Sequence, residues 1–330
     1  MDYGHKWTDK ELRKLEKRIS AEYKQAENEI QKKLDKYLDK FAAQDEIKRN
    51  ALEKGEITEK EYINWRKGKI FIENRWTAMR DALAEDFHRT NMKVNSMTKQ
   101  FSYDAYAENF NYGTYEVEKG VRIDTSFTLY DRSTVERLIR DDPDMLPPPG
   151  KKVSKRIREG KDVLWNKQQI QSVMTQSILQ GEPIPKIADR LATAVGDSNR
   201  VAAIRNARTM TTGAENAGRI DSYKRADDMG IKMQQEWIAT LDDRTRHEHR
   251  QLDGMKVDVG EPFEIDGYTI RFPGDPRAEP EMVYNCRCTV IASVDKTAIA
   301  KNEAKDLPRN SKLGDMSYEE WKNKHKAGDL

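Results

Sequence analysis

Apolar positions recur at helical spacing almost from the first residue. Leu12, Leu15, Ile19, Ala26, Ile30, Leu34, Tyr37 and Phe41 share one face, with Lys and Glu filling the others. Ahead of them Thr8-Asp9-Lys10-Glu11 has the form of a capping box, with Trp7 and Leu12 placed as a hydrophobic staple. Gly55 breaks the run, and a second box, Thr58-Glu59-Lys60-Glu61, restarts it between Ile57 and Tyr62. Tyr62, Trp65, Ile72, Trp76, Met79, Leu83, Phe87, Val94, Met97 and Phe101 carry the stripe on. Two long helices joined by a short turn predict a helical hairpin arm over residues 1–113. The stripe reads most simply as the seam between them. A long arm with little core of its own would also suit docking on a partner, which the residues do not name.

The periodicity then weakens. Residues 111–132 hold Gly113, Gly120 and a β-leaning run from Ser126 to Tyr130. Asp141-Asp142-Pro143 and Pro147-Pro148-Pro149-Gly150 form the clearest break, so 114–160 is expected to be an irregular connector with a basic segment. Helical signals resume at Val163, Ile170, Val173 and Ile178 and stop at Gly181. A short helix is expected after Pro183-Ile184-Pro185, then another over 198–229. Ala202, Ala203, Ala207, Thr211, Ala214, Ala217 and Gly218 give this last helix a close-packing surface for the sheet expected next.

Beyond Gly230 the pattern shortens. Ile231–Thr240 reads as a strand with Trp237 in the core, Leu241–Arg246 as a polar turn and Asp253-Gly254 as a hairpin turn. Tyr268–Phe272 alternates like a strand, Pro273-Gly274-Asp275-Pro276 is a sharp turn, and Cys288–Val294 is the most apolar strand. The stretch 161–294 thus predicts a small antiparallel sheet packed on a helix, and the chain an α+β fold that is mainly α, with a helical middle region. Residues 295–330 read as a flexible tail. Within it Ser317-Tyr318-Glu319-Glu320, flanked by Met316 and Trp321, predicts a short terminal helix from Tyr318 to Lys326. That helix would either anchor a neighbouring subunit or fold back on its own chain.

Composition adds little beyond this. Charged residues are 35% and hydrophobic residues 36% of 330, which suits long solvent-washed helices, and a net charge of +2 favours no particular partner. No stretch approaches the ~18 apolar residues of a membrane span. The first residues, MDYGHKWTDKEL, lack the apolar core of a secretory signal. Two cysteines one residue apart cannot staple a fold, which fits a reducing compartment. Local charge says more: Lys151, Lys152, Lys155, Arg156 and Arg158 follow the proline break, with Lys161 and Lys167 beyond. They would contact phosphates of double-stranded DNA or simply form a solvated face; the absence of interleaved aromatics favours the face.

Candidate chemistry gathers between Trp237 and Cys288. His249, Cys286 and Cys288 are ligand types that suit zinc, with His247 a further candidate. In a strand, Cys286 and Cys288 would face one side while Arg287 points away. Cys-x-Cys is a weaker zinc signal than Cys-x-x-Cys, and the bland reading is two small buried hydrophobes beside a hydrogen-bonded turn histidine. A Cys286–Cys288 disulfide is disfavoured by the parallel aim of the two side chains. Cys286, His249 and Asp253 have the composition of a nucleophilic triad, but no glycine-rich oxyanion turn stands beside Cys286. Asp242, Asp243 and Asp253 would suit a carboxylate–metal hydrolase, yet salt bridges and amide capping explain them more simply, with Arg246 expected to pair with Asp242 or Asp253.

The order Ala-Arg-Thr (207–209), Trp237, Asp242-Asp243, Arg246, His249, Asp253-Gly254, Phe263, Pro273-Gly274-Asp275-Pro276 and Asn285-Cys286-Arg287-Cys288 resembles the phage Mu F-like minor head protein family over roughly residues 165–294. His249 matches the family motif and His247 does not. The resemblance implies a structural, non-enzymatic minor capsid protein of a tailed bacteriophage, acting in procapsid assembly and in DNA packaging or ejection at the portal vertex. It implies the portal protein and the major capsid or scaffolding protein as partners, and a place in the phage head after assembly in the host cytoplasm. Some relatives carry a toxin or ADP-ribosyltransferase domain after the Cys-Arg-Cys strand; the charged stretch after Val294 is expected to hold none. Trp237, Asp242, Arg246, Asp253, Gly254, Pro273, Gly274 and Asp275 are then fold-holding residues. The other readings are a DNA-binding packaging or ejection factor and a metal-dependent or cysteine hydrolase.

Overall fold

A computed structural model describes residues 2–125, 127–141, 151–294 and 308–327, the side chains of 73, 141, 151–154, 294 and 327 apart. The proline-rich break at 142–150 and most of the expected tail connector lie outside these residues.

Helix α1 (Tyr3–Glu53) is continuous for 51 residues, so the first expected box does not cap it. Asp2 does that instead, its Oδ1 accepting the His5 amide at 2.9 Å. Thr8 lies one turn inside, its hydroxyl donating to the Gly4 carbonyl at 3.0 Å. The second box forms as expected at α2 (Glu59–Ile70), where Thr58 accepts from the Glu61 amide and Glu61 accepts from the Thr58 amide. The second long helix is broken, however, restarting as α3 (Glu73–Val121). Tyr37 Oη donates to the Ile70 carbonyl at 2.8 Å, occupying an acceptor that an unbroken helix would give to an amide four residues on.

Helix α3 runs through Gly113 and Gly120, both expected as weak points. At Gly113 a Cβ would stand 2.2 Å from Ser222 Oγ, so this glycine marks a close helix contact rather than a break. The β-leaning run forms no strand among its described residues: Asn111 instead takes the Tyr130 amide (2.8 Å) and carbonyl (2.9 Å) with its side-chain amide. Then come α4 (Arg132–Asp141), α5 (Lys151–Arg158) and α6 (Lys161–Leu179). Next, α7 (Ile184–Asp228) is a single 45-residue helix where two were expected. Gly196 lies within it because a Cβ there would meet Glu27 Oε1 at 2.5 Å.

The chain packs as two units, each discontinuous in sequence. One comprises Glu16–Ser96 and Lys152–Ile204; the other comprises Met1–Leu15, Met97–Lys151 and Arg205–Leu330. The first unit is a helical bundle. Within it α1 and α3 run antiparallel, shown by Tyr23 on Asn91 at 2.6 Å and Lys93 on Glu22 at 2.6 Å. The stripe is the seam, and it has more core than the arm was expected to own. Ile170 and Met174 of α6 and Ile187, Leu191 and Val195 of α7 close over Ile30, Leu34, Leu83 and Phe87.

The second unit adds a sheet. Strands β1 (Met233–Ile238), β2 (Lys256–Asp258) and β5 (Thr289–Val294) lie in the order β2-β1-β5, all antiparallel, with Trp237 opposite Val290. Between β1 and β2 stands the short helix α8 (His247–Leu252). A separate hairpin pairs β3 (Phe263–Ile265) with β4 (Tyr268–Ile270). It turns at Asp266-Gly267, both at positive φ (47° and 82°), as a two-residue hairpin turn demands. Asp253-Gly254, by contrast, joins α8 to β2 and is no hairpin turn; Gly254 keeps the expected positive φ, 77°.

After β4 come α9 (Pro280–Val283), a 3-10 turn over Ser311–Gly314 and α10 (Tyr318–Ala327). Ser317 and Glu320 form the expected capping box. The terminal helix folds back: Trp321 is fully buried and its Nε1 donates to Glu118 of α3 at 2.6 Å. Among the described residues no helix is long and apolar enough to cross a membrane.

Candidate functional site

His249 reaches inward from α8 towards the loop that enters β5. Its Nδ1 stands 3.6 Å from Cys286 Sγ and 3.5 Å from Cys288 Sγ. All three side chains are buried, at 1%, 2% and 2% exposure. The sulfurs share a side for a different reason than expected. Cys286 and Cys288 precede β5 and are not in a strand. Asn285 at φ 53° and the Cys286 amide on the Val283 carbonyl (3.2 Å) form a turn after α9. That turn brings the Cys288 amide to 3.5 Å from Cys286 Sγ.

Helix α7 fastens this loop. Thr212 Oγ1 donates to the Cys286 carbonyl at 2.7 Å. Asn216 donates to the carbonyls of Cys288 (3.3 Å) and Pro273 (3.2 Å) while accepting the Val290 amide (2.8 Å). Thr240 holds the Arg287 carbonyl at 2.6 Å, and the Arg287 guanidinium turns away onto both carboxylate oxygens of Asp242, at 2.6 and 2.7 Å. That fork drives the Asp242 carboxyl well below the usual carboxylate range. Arg246 therefore does not take the carboxylate expected of it: it donates to the Tyr284 carbonyl, and Asp253 accepts the Ala239 amide at 2.8 Å. The hydrogen bond from Cys286, with His249 beside it, brings the Cys288 thiol pKa down to about 5, while the bond to Cys288 and burial push Cys286 well up.

The remaining motif residues surround this centre. Trp237 is fully buried, edge-to-face on His249 with ring centroids 5.3 Å apart. Gly274, at φ 78°, lies so close to α7 that a Cβ would meet the Gly213 amide nitrogen at 2.6 Å. Asp275 is buried and takes Arg271 through both oxygens, at 2.8 and 2.6 Å. His247 is exposed, bonded to Gln251 at 2.8 Å, and outside the cluster. The triad composition is not assembled, because Asp253 is committed to a backbone amide and both thiols are out of solvent.

A family profile described as Phage Mu protein F like protein matches residues 168–291, which contain every contact just described from Thr212 to Val290. The chain is 24% identical to Minor head protein GP7 of Bacillus phage SPP1 over 324 residues, covering 98% of this chain and 96% of that protein. The chain carries a Mu F-like segment over residues 168–291. It is also 31% identical, over 230 residues, to NAD(+)–arginine ADP-ribosyltransferase EFV of Enterococcus faecalis. That alignment covers 69% of this chain and 45% of the relative, so the chain spans under half of one of these proteins and nearly all of the other. No solved structure matches the chain.

The residues missed in the sequence are polar and sit on α7. Thr212, Glu215, Asn216 and Arg219 are all buried, on a face where small residues were expected. Glu215 meets His5 Nδ1 at 2.7 Å, and the fully buried Arg219 takes Asp2 (2.7 Å), Asn109 (3.1 Å) and the Val290 carbonyl (3.1 Å). The visible signal was their i, i+4 spacing, which places polar groups in a stripe. The basic candidates are more dispersed. Lys155 stands 3.7 Å from Glu159, Arg156 and Arg158 are exposed, and the side chains of Lys151 and Lys152 lie outside the described residues. Lys161 also pairs with Glu159 (2.9 Å) and Lys167 with Asp81 (3.1 Å), so part of the cluster is neutralised.

Proposed function

We propose that this chain is a structural minor head protein of a tailed bacteriophage. It is incorporated at procapsid assembly beside the portal protein and acts in DNA packaging or ejection. The observation that carries the reading is the end-to-end likeness to the SPP1 minor head protein, 98% of one chain against 96% of the other. The site supports a non-catalytic role. Its thiols are buried, its aspartates are tied to Arg287 and to the Ala239 amide, and its motif residues hold loops. The ADP-ribosyltransferase named in the other match shares under half its length with this chain, so that name lends no reaction to the residues described.

The test is co-expression with the portal, major capsid and scaffolding proteins of the same phage, followed by purification and imaging of particles. The protein should co-sediment with procapsids at high salt and occupy one vertex. Its absence from the particles would overturn the reading. A second reading, direct contact with double-stranded DNA, draws on exposed Arg156 and Arg158 beside Lys155. It requires binding with a steep salt dependence that charge reversal at Lys151, Lys152, Lys155, Arg156 and Arg158 removes.

A further inference from the structure

We propose that His249, Cys286 and Cys288 bind one zinc ion, which clips α8 to the loop entering β5. The geometry is that of a metal centre. Zinc bonds thiolate sulfur at about 2.3 Å and imidazole nitrogen at about 2.0–2.1 Å, so a tetrahedral site sets sulfur and nitrogen about 3.6 Å apart. The two distances here are 3.6 and 3.5 Å. Both sulfurs, moreover, aim at the same ring nitrogen. An imidazole nitrogen carries either one proton or one lone pair, so it can complete one hydrogen bond well and not two. A cation at the focus of the three atoms satisfies both sulfurs at once. The three ligand atoms lie within 4.8 Å of one another, and all three residues are buried.

The donor set selects the metal. Two thiolates and an imidazole suit zinc, whereas magnesium and calcium require oxygen ligands. On binding, the thiol protons pass to solvent and no electrons move. One corner of the tetrahedron is left for water, the arrangement that catalytic zinc centres keep. The motif carboxylates of Asp242 and Asp253 are committed to Arg287 and to the Ala239 amide. The ion therefore holds structure. It joins an α8 residue to two residues of a loop that Thr212 and Asn216 already pin to α7, closing a ring of contacts around Trp237.

The experiment uses the full chain, stripped with a chelator and then titrated with cobalt(II) and with zinc. Cobalt should give thiolate-to-metal charge-transfer absorption saturating at one equivalent, and zinc should bleach it in the same ratio. Replacing both cysteines (C286S with C288S) should abolish the band, and His249→Ala should weaken zinc affinity by more than the ~10–100-fold typical of an outer-shell loss. Protein purified without chelator should carry zinc at about one per chain by elemental analysis. Absence of a thiolate band in the unsubstituted chain would overturn the proposal, and that measurement needs no variant to fold. Equal metal uptake by the double serine variant would also overturn it, placing the ion elsewhere. Neither outcome bears on assembly into phage heads.

Discussion

The helical bundle and the sheet-bearing unit hold themselves together by different means. In the bundle, Leu34, Leu83, Phe87, Ile170 and Leu191 are fully buried at regular helical intervals, and no single one of them organises its neighbours. In the sheet-bearing unit, Asn216 alone bonds the backbone of Pro273, Cys288 and Val290, and two glycines bring main chain against main chain. Stability in the first comes mostly from many similar burials, with a buried Asn91–Asn199–Asn166 chain of hydrogen bonds beside them. In the second it depends on a few residues, each holding segments distant in sequence.

Substitutions can break or sharpen that contrast. Trp237→Ala should have the largest effect, about 3–5 kcal/mol by urea denaturation, because a fully buried indole leaves a cavity among His249, Phe263 and Val290. Leu34→Ala in the bundle should cost about 2–5 kcal/mol without disturbing the thiol cluster. If Trp237→Ala left cysteine reactivity unchanged, the sheet-bearing unit would not be organised as described. Gly274→Ala should follow at about 2–5 kcal/mol, combining a left-handed backbone with a clash on Gly213. Gly254→Ala, at φ 77° with nothing within 4 Å, should cost only about 1–2 kcal/mol. Equal losses at the two glycines in thermal melts would remove the main-chain contact from the account.

Asn216→Leu keeps the branched outline of the side chain but leaves the Val290 amide and the Pro273 carbonyl without that partner. It should cost about 1–3 kcal/mol and slow hydrogen exchange far less than the parent does at Val290. At the mild end, Thr58→Ala should lose about 1 kcal/mol with the capping box. Gly68→Ala, exposed within α2 with open space around it, should gain about 0.5–1 kcal/mol. A destabilising Gly68→Ala would contradict the view of the bundle as locally additive.

The bundle was the more legible of the two regions, because periodicity reports directly on which face is buried. Two of three capping boxes form, at Thr58 and Ser317; the Thr8 box fails because Asp2 takes the helix start first. Gly113 looked like a breaker, since its reason for being glycine lies in Ser222, far along the chain. At the candidate site the chemical types were readable but the geometry was not. His249, Cys286 and Cys288 converge through a turn instead of a strand, and Asp242 chose Arg287 over Arg246. Asn216 and Arg219 escaped notice because a polar residue in a helix ordinarily reads as solvent-facing.

The meeting of Gly213 with Gly274 has a consequence for how this protein can change over generations. Neither residue has a side chain to trim, so a methyl acquired on one cannot be accommodated by shrinking the other. Conventional pairwise repair, large for small, is closed at this point. Descendants can keep both glycines or shift the whole loop, and a loop that moves would carry the Asn216 bond to Pro273 with it.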